Sequence, residues 1–413
     1  MTDDRDPSGA TAGPSAAPPA RDPPPSPAPP TTDRSFLDAA LDERDAVGFV
    51  AVGDRRDADL RFLTRFEGSE DDCAYVRTLD ADVLCAPRGH VARAARRFDG
   101  RVSSDRPGDH PGERAAAVLD GVVDAEQAAP RTVLVPSSIP HDAAVYLERA
   151  GYELRSTTAV ADARATKTDG ELDAVRAVQR AAVRATDRGE RVLAAAETDD
   201  GDELRWGDAP LTAERLRRVV NAELARRGVD SAGNTVVAAG ATGSESADEP
   251  IATDEPVRID VAPREPHGYH GFRSRTVAVD SDGGWERRAY VAVEAALEAA
   301  LDEVEPGADA ADVRREAEAE LTAFGFDPTG GSGEGDPGGD PIETGHGVGL
   351  SRRERPFLRA GETLDVGCVL AVAPGLTDPE HGSVRLGDLV VVTEAGYELV
   401  GDGTRSFAPQ GRY

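Results

Sequence analysis

The stretch 256–276, PVRIDVAPREPHGYHGFRSRT, constrains the fold of this chain more than any other. Residues 256–261 alternate apolar and polar side chains and deliver Asp260, a Pro/Gly-rich turn follows, and a second strand is expected from about Gly268. The pair reads as a hairpin with a carboxylate on one face. A hairpin of this kind can hold a metal ion, so the question is whether the rest of the chain supplies the other ligands.

At 413 residues the chain is too long for one ordinary core and suits two domains with appendages. A formal net charge of -30 argues against nucleic acid or an anionic membrane as partner, since both would be repelled. Lys167 is the only lysine among 47 Lys and Arg residues. That arginine bias with abundant Asp and Glu suits a protein kept soluble in concentrated salt, where the Debye length falls to about 3 Å; a GC-rich genome would produce the same bias. Cys73, Cys85 and Cys368 show no CxxC and no metal spacing, which fits a reducing interior. No apolar run approaches the ~18 residues of a membrane helix, and the acidic, Pro-rich start has no apolar signal core, so a cytoplasmic location is expected.

Residues 1–33 lack aromatic residues and a periodic apolar face and are expected to be a disordered Pro/Ala/Asp-rich tail. Residues 34–160 read as a small α/β domain: helix 36–43, strands 47–52, 74–79 and 83–86, helices 90–98 and 113–124, strand 132–135, helix 142–150 and strand 152–156. Its histidines, His90, His110 and His141, lie beside helix starts or loops and are read as surface or capping groups. Residues 161–413 form the second domain. A long helix over 168–197 places Leu172, Val175, Val178, Ala182, Val183 and Leu193 near one side, and helices follow at 212–227, 285–304 and 308–324. The Gly/Ser loop at 240–250 has no Lys and no Gly-Lys-Ser/Thr ending, so it is not a P-loop. The Gly-rich run 329–339 is flexible by composition.

Several motifs in fixed order resemble the Xaa-Pro aminopeptidase, prolidase and creatinase family. They are 59–66 (DLRFLTRF), Arg164 and Lys167 followed by Glu171-Leu172, Gly268-Tyr269-His270-Gly271, Arg275-Thr276, the GHGVG of 345–349, Pro374-Gly375, and Arg385 with 388–393. Each is weak alone, and their order and spacing together carry the resemblance. It implies an α/β amino-terminal domain of creatinase type followed by an α+β pita-bread domain, a curved antiparallel sheet flanked by helices.

Active members of that family hold two divalent ions with two Asp, one His and two Glu, because paired metals activate a bridging water and polarise the carbonyl. By this resemblance Asp260 and His346 retain ligand positions. Phe272 stands at the second Asp, Ala373 at the Glu before Pro-Gly, and Gly387 at the Glu of the R-x-E-D pattern. A histidine after the GHG motif is replaced by Arg353, with Glu354 and Pro356 kept, and residues 240–258 contain no histidine for the loop before the first ligand strand. One of four cage carboxylates remains. Phe272 is expected to put its ring in the former cavity, and His346, read as part of a Gly-His-Gly turn, to hydrogen-bond Asp260 or a backbone carbonyl. His270 is given no catalytic role. A single ion would need Asp388, Glu354, Glu343 or Asp254 to turn inward.

The leading expectation is a peptidase-family homologue without the di-metal site and without bound cofactor, non-catalytic, acting in binding or regulation. The alternative is a metal-dependent Xaa-Pro aminopeptidase or dipeptidase using altered ligands and Mn, Co or Zn. Metal-free hydrolysis of the creatinase sort is disfavoured by the missing histidines. Expected partners are a peptide in the cleft and either a second copy of the chain or an active relative.

Overall fold

The computed structural model describes residues 29–104, 109–122, 131–198, 201–241, 248–328, 342–358, 361–402 and 404–409. Residues 1–28 of the expected tail, the centre of the Gly/Ser loop (242–247) and the Gly-rich run lie outside them. Thr32 is already docked: its hydroxyl donates to the Phe62 carbonyl at 2.5 Å.

The amino-terminal half is built on a six-stranded sheet. In spatial order its strands are Arg101–Ser104, Asp82–Ala86, Cys73–Arg77, Gly48–Gly53, Arg131–Pro136 and Tyr152–Thr157. The three inner pairings are mixed: Cys73–Arg77 is antiparallel to both Gly48–Gly53 and Asp82–Ala86, while Gly48–Gly53 is parallel to Arg131–Pro136. Side-chain alternation explains why it needs cover on both faces. Phe49 and Ala51 enter one core with Leu37, Leu41 and Tyr75, while Val50 and Val52 enter another with Leu119, Ala143 and Leu147.

In the carboxy-terminal half the helix Asp169–Ala194 opens on a capping box formed by Thr168 and Glu171. It packs Val178, Ala182 and Ala185 with Leu216 of the helix Ala213–Arg226 and Ile259 of the hairpin. The antiparallel strands Thr235–Ala239, Pro256–Val261 and Arg273–Ala278 form one sheet. A second, five-stranded sheet runs Glu354–Phe357, Gly345–Gly347, Val369–Val372, Asp388–Thr393 and Gly396–Leu399. The two sheets are joined at Ser274 and Gly387, whose N–H groups donate to each other's carbonyls at 3.1 and 3.0 Å. Helices Trp285–Asp302 and Ala310–Ala323 cover the second sheet through Val293, Leu297, Val313 and Leu321. This is the mixed α/β, pita-bread architecture expected.

Three local expectations need correction, and two elements were not foreseen. The second hairpin strand begins at Arg273, not near Gly268, because 262–272 is committed to turn contacts: Gly268 N–H donates to the Glu265 carbonyl and the Tyr269 N–H to the Glu265 side chain. Gly345–Gly347 is a strand, not a turn, paired on both edges. The helix expected over 90–98 is reduced to Val91–Ala94 after a short 3-10 turn. A strand at Arg101–Ser104 and a helix at Ala159–Ala165 were not expected.

Candidate functional site

The site lies where the two sheets of the carboxy-terminal half meet. Asp260 sits opposite Ser274 across the hairpin, and the Ser274 hydroxyl donates to its Oδ1. On its other side Oδ2 faces Arg258 Nε at 3.3 Å and Arg385 Nη1 at 3.9 Å. The remaining acidic position is therefore neutralised by side chains of its own protein.

Arg385 crosses the site. Its Nε donates to the Ala373 carbonyl at 3.1 Å and its Nη2 to the Glu343 carbonyl at 3.0 Å, and the guanidinium lies 5.5 Å from the centre of the Phe272 ring. Burial pushes its pKa below the ordinary arginine value, as do Arg258, Arg352 and Arg353, against the pull of Asp260.

Phe272 is fixed at its backbone by Gln179 of the long helix. The Gln179 side chain accepts from the Phe272 N–H at 2.9 Å and donates to the Phe272 carbonyl at 2.7 Å. The ring, buried, meets His346 edge-on with centres 6.2 Å apart. It also closes on Gly387: a Cβ built there would lie 2.5 Å from Ala373 Cβ and 2.7 Å from Phe272 Cε1. Phe272, Ala373 and Gly387 thus pack against one another.

His346 is 5% exposed, and its Nδ1 lies 3.1 Å from the Gly347 carbonyl oxygen. Of the two partners expected for it, the backbone carbonyl is the one present. Burial lowers its pKa to about 4, with Arg385 and Arg352 acting in the same direction. Burial likewise lowers His270 to about 4, where its Nδ1 lies 3.2 Å from the Gly349 carbonyl oxygen. Both rings are neutral when folded, while an unfolded imidazole titrates near 6.5. Protons therefore go first to the unfolded chain as pH falls, so stability present above about 6.5 is lost between there and about 4, by roughly 3 kcal/mol per ring. Urea midpoints at pH 7.5 and 5 check this; the His346→Gln/His270→Gln double variant should show a flatter dependence over that window.

None of the carboxylates that would have to turn inward is poised to do so. Asp388 accepts from Arg275 at 2.6 Å and from Arg405 at 2.8 Å. Glu354 is held by Lys167 and Arg164, Glu343 by Arg353, and Asp254 is exposed. Among the described residues no group of three or more His, Cys, Asp and Glu side chains is arranged to hold a metal ion. The sequence reading placed Asp260, His346, Phe272, Ala373, Gly387 and Arg353 in one neighbourhood, and the contacts above connect them. It missed Gln179, Ser274 and Arg258. Gln179 carried a usable signal: an amide at helical spacing beside Val175, Val178 and Ala182 is a polar group on an apolar face, and such a group needs a partner.

Comparison with known proteins places this architecture. The model of metallopeptidase family M24 matches residues 173–394. The probable dipeptidase PepE of Mycobacterium bovis is 27% identical over 151 residues, 36% of this chain and 38% of that protein. The Xaa-Pro dipeptidase of Pyrococcus furiosus is 30% identical over 155 residues, 37% of this chain and 41% of that protein. These alignments span less than half the length of the curated relatives. Structural similarity extends further: the prolidase from Pyrococcus horikoshii OT3 superposes with a TM-score of 0.75 over 90% of this chain and 99% of its own, at 17% identity. Dipeptidase PepE from Mycobacterium ulcerans gives 0.71 over 89% and 94%, at 24% identity. With the family model spanning more than half of its length and the fold shared almost end to end, the chain belongs to metallopeptidase family M24.

Proposed function

We propose that this chain is an M24-family protein without the di-metal site, non-catalytic, acting as a binding or regulatory protein. One observation carries the reading: Phe272, Ala373 and Gly387, the positions the family resemblance gives to three carboxylate ligands, are in direct contact, with the aromatic ring against the Cβ position of Gly387. Two divalent ions do not fit the residues present. Asp260 is the one retained cage carboxylate, and it is neutralised by Arg258 and Arg385. Arg352 and Arg353 add positive charge near Arg385. A divalent ion in such a field would be repelled before it could be coordinated.

The histidine positions that handle protons in the family are missing as well: Arg353 stands at one, and residues 240–258 contain no histidine for the other. Arg353 cannot act as a base at any ordinary pH. The neutral His346 is turned to the Gly347 carbonyl.

The relatives named prolidase and Xaa-Pro dipeptidase make Xaa-Pro peptides the ligand class to test. Xaa-Pro dipeptides and longer Xaa-Pro peptides, incubated with the chain and added Mn or Co, should show no turnover above the protein-free blank. Turnover that depends on added metal and is lost in His346→Ala would contradict the proposal and favour an Xaa-Pro peptidase with altered ligands. For a regulatory protein the partner is a second copy or an active relative, and light scattering alone and in mixture measures both.

A further inference from the structure

A cavity of about 440 Å³ opens between the two halves of the molecule, away from the Phe272 cluster. Its walls come from the helix Ala58–Thr64 and the loop after it on one side, and from Asp230 and the hairpin turn 264–266 on the other. In a chain of net charge -30 this wall carries five arginines.

Most of these charges are already matched. Arg55 pairs with Glu70 at 2.7 Å, Arg264 with Asp230 at 3.2 Å, and Arg93 with Glu67. Glu265 is occupied by its own turn, accepting from the N–H groups of His267 at 2.8 Å and Tyr269 at 2.9 Å. Arg61 is the exception: its backbone is bonded within the helix, but among the described residues its guanidinium makes no ion pair and no hydrogen bond. Its guanidinium is wedged beside Gly268, where a Cβ would lie 2.5 Å from Nη1. Gly268 has φ +103°, so glycine both permits that backbone and leaves the space the arginine fills. Burial, and next the charge of Arg264, push the Arg61 pKa below its ordinary value and outweigh the pull of Glu265 and Glu67, neither of which is within ion-pair distance.

The contrast with other arginines of the chain is informative. Arg164, Arg273 and Arg275 each meet a carboxylate, Asp59 at 2.6 Å, Asp402 at 2.9 Å and Asp388 at 2.6 Å. A half-buried cation without such a partner is unfavourable unless something else supplies the negative charge. Arg61 and Arg264 approach from opposite halves and repel each other. An oxyanion beside Arg61 would supply that charge and offset the repulsion from Arg264, and the planar guanidinium fork matches the oxygen spacing of phosphate.

We propose that this interdomain cavity is a binding site for a phosphate-bearing small molecule, anchored by Arg61 and Arg264. It is distinct from the Phe272–Gly387 cluster and does not depend on whether the chain hydrolyses peptides. A ligand here would bridge the two halves, so its binding would also tighten their contact.

The test is isothermal titration calorimetry on the full chain with inorganic phosphate, at ionic strength fixed with NaCl, and with succinate as a dicarboxylate of similar charge. Saturable phosphate binding at one site per chain is expected, weaker by at least about tenfold in Arg61→Gln and in Arg264→Gln. Arg176→Gln, which alters an exposed pair with Glu398 elsewhere, should bind as the parent does. Circular dichroism confirms that each variant is folded, and Arg264→Gln decides the matter if Arg61→Gln is not. Absence of saturable binding, or unchanged affinity in the folded Arg61 and Arg264 variants, would overturn the site. Succinate binding as tightly as phosphate would overturn the phosphate assignment.

Discussion

Glu354→Ala is expected to destabilise the chain by about 3–5 kcal/mol, the loss associated with leaving buried charges unpaired. Glu354 Oε1 accepts from Lys167 at 2.9 Å, and Oε2 accepts from Arg164 and from the Ser351 N–H at 3.1 Å. Lys167 is 1% exposed at its side chain and Arg164 is 9% exposed, so neither cation can turn to water when the carboxylate goes. Burial alone would raise the pKa of Glu354, but Lys167 and Arg164 outweigh it and hold the group below the usual carboxylate range. Arg164 continues the network to Asp59, so the contact also ties the amino-terminal half to the second sheet. Glu354→Gln keeps the shape and some hydrogen bonding and should lose less. Urea midpoints check both, and because the network is buried the difference should persist in molar salt. This is the only lysine of the chain, and it is spent on a structural contact.

Gly387→Glu, which restores the residue type implied by the family resemblance, is expected to destabilise the chain and not to create a metal site. A Cβ at 387 lies 2.5 Å from Ala373 Cβ and 2.7 Å from Phe272 Cε1, distances at which something must move. Neither neighbour yields easily. Ala373 is held through its N–H to Thr344 and its carbonyl to Arg385, and the Phe272 backbone is clamped at both ends by Gln179. Even Gly387→Ala should cost roughly 1–3 kcal/mol through overpacking. Removing the ring should relieve that clash, so Gly387→Ala/Phe272→Ala should be less destabilised than the sum of its single variants. Additive losses in urea unfolding would show that Phe272 and Gly387 are not in contact. Gln179→Leu should also be destabilising, by about 1–3 kcal/mol, since it leaves the Phe272 N–H and carbonyl buried and unpaired; the same unfolding measurement reads it.

What the sequence made legible depended on periodicity. The helix Asp169–Ala194 was readable because Leu172, Val175, Val178 and Ala182 repeat at helical spacing. The hairpin strand Pro256–Val261 was readable from its alternation, but the start of its partner was not. Tyr269 and Phe272 look like strand residues. They are instead placed by contacts distant in sequence: Tyr269 O–H donates to Glu171 at 2.5 Å, and Phe272 is placed by Gln179. The strand Arg101–Ser104 escaped notice because RVSS is short and polar and lies at a sheet edge, where pairing needs no apolar pattern. At the site, motif order fixed which positions to inspect. It could not show that Ser274 would occupy Asp260, or that Arg258 and Arg385 would face it, since these relations depend on strand register and on the meeting of two sheets.

In the function proposed, protein side chains occupy the space and the charge that divalent ions hold in active relatives. Elemental analysis measures this most directly, on chain purified in molar salt, incubated with excess Mn and separated from free metal by gel filtration. Well below one metal ion per chain is expected, with a thermal unfolding midpoint unchanged by chelator. Near two ions per chain, or a midpoint that falls when chelator is added, would contradict it.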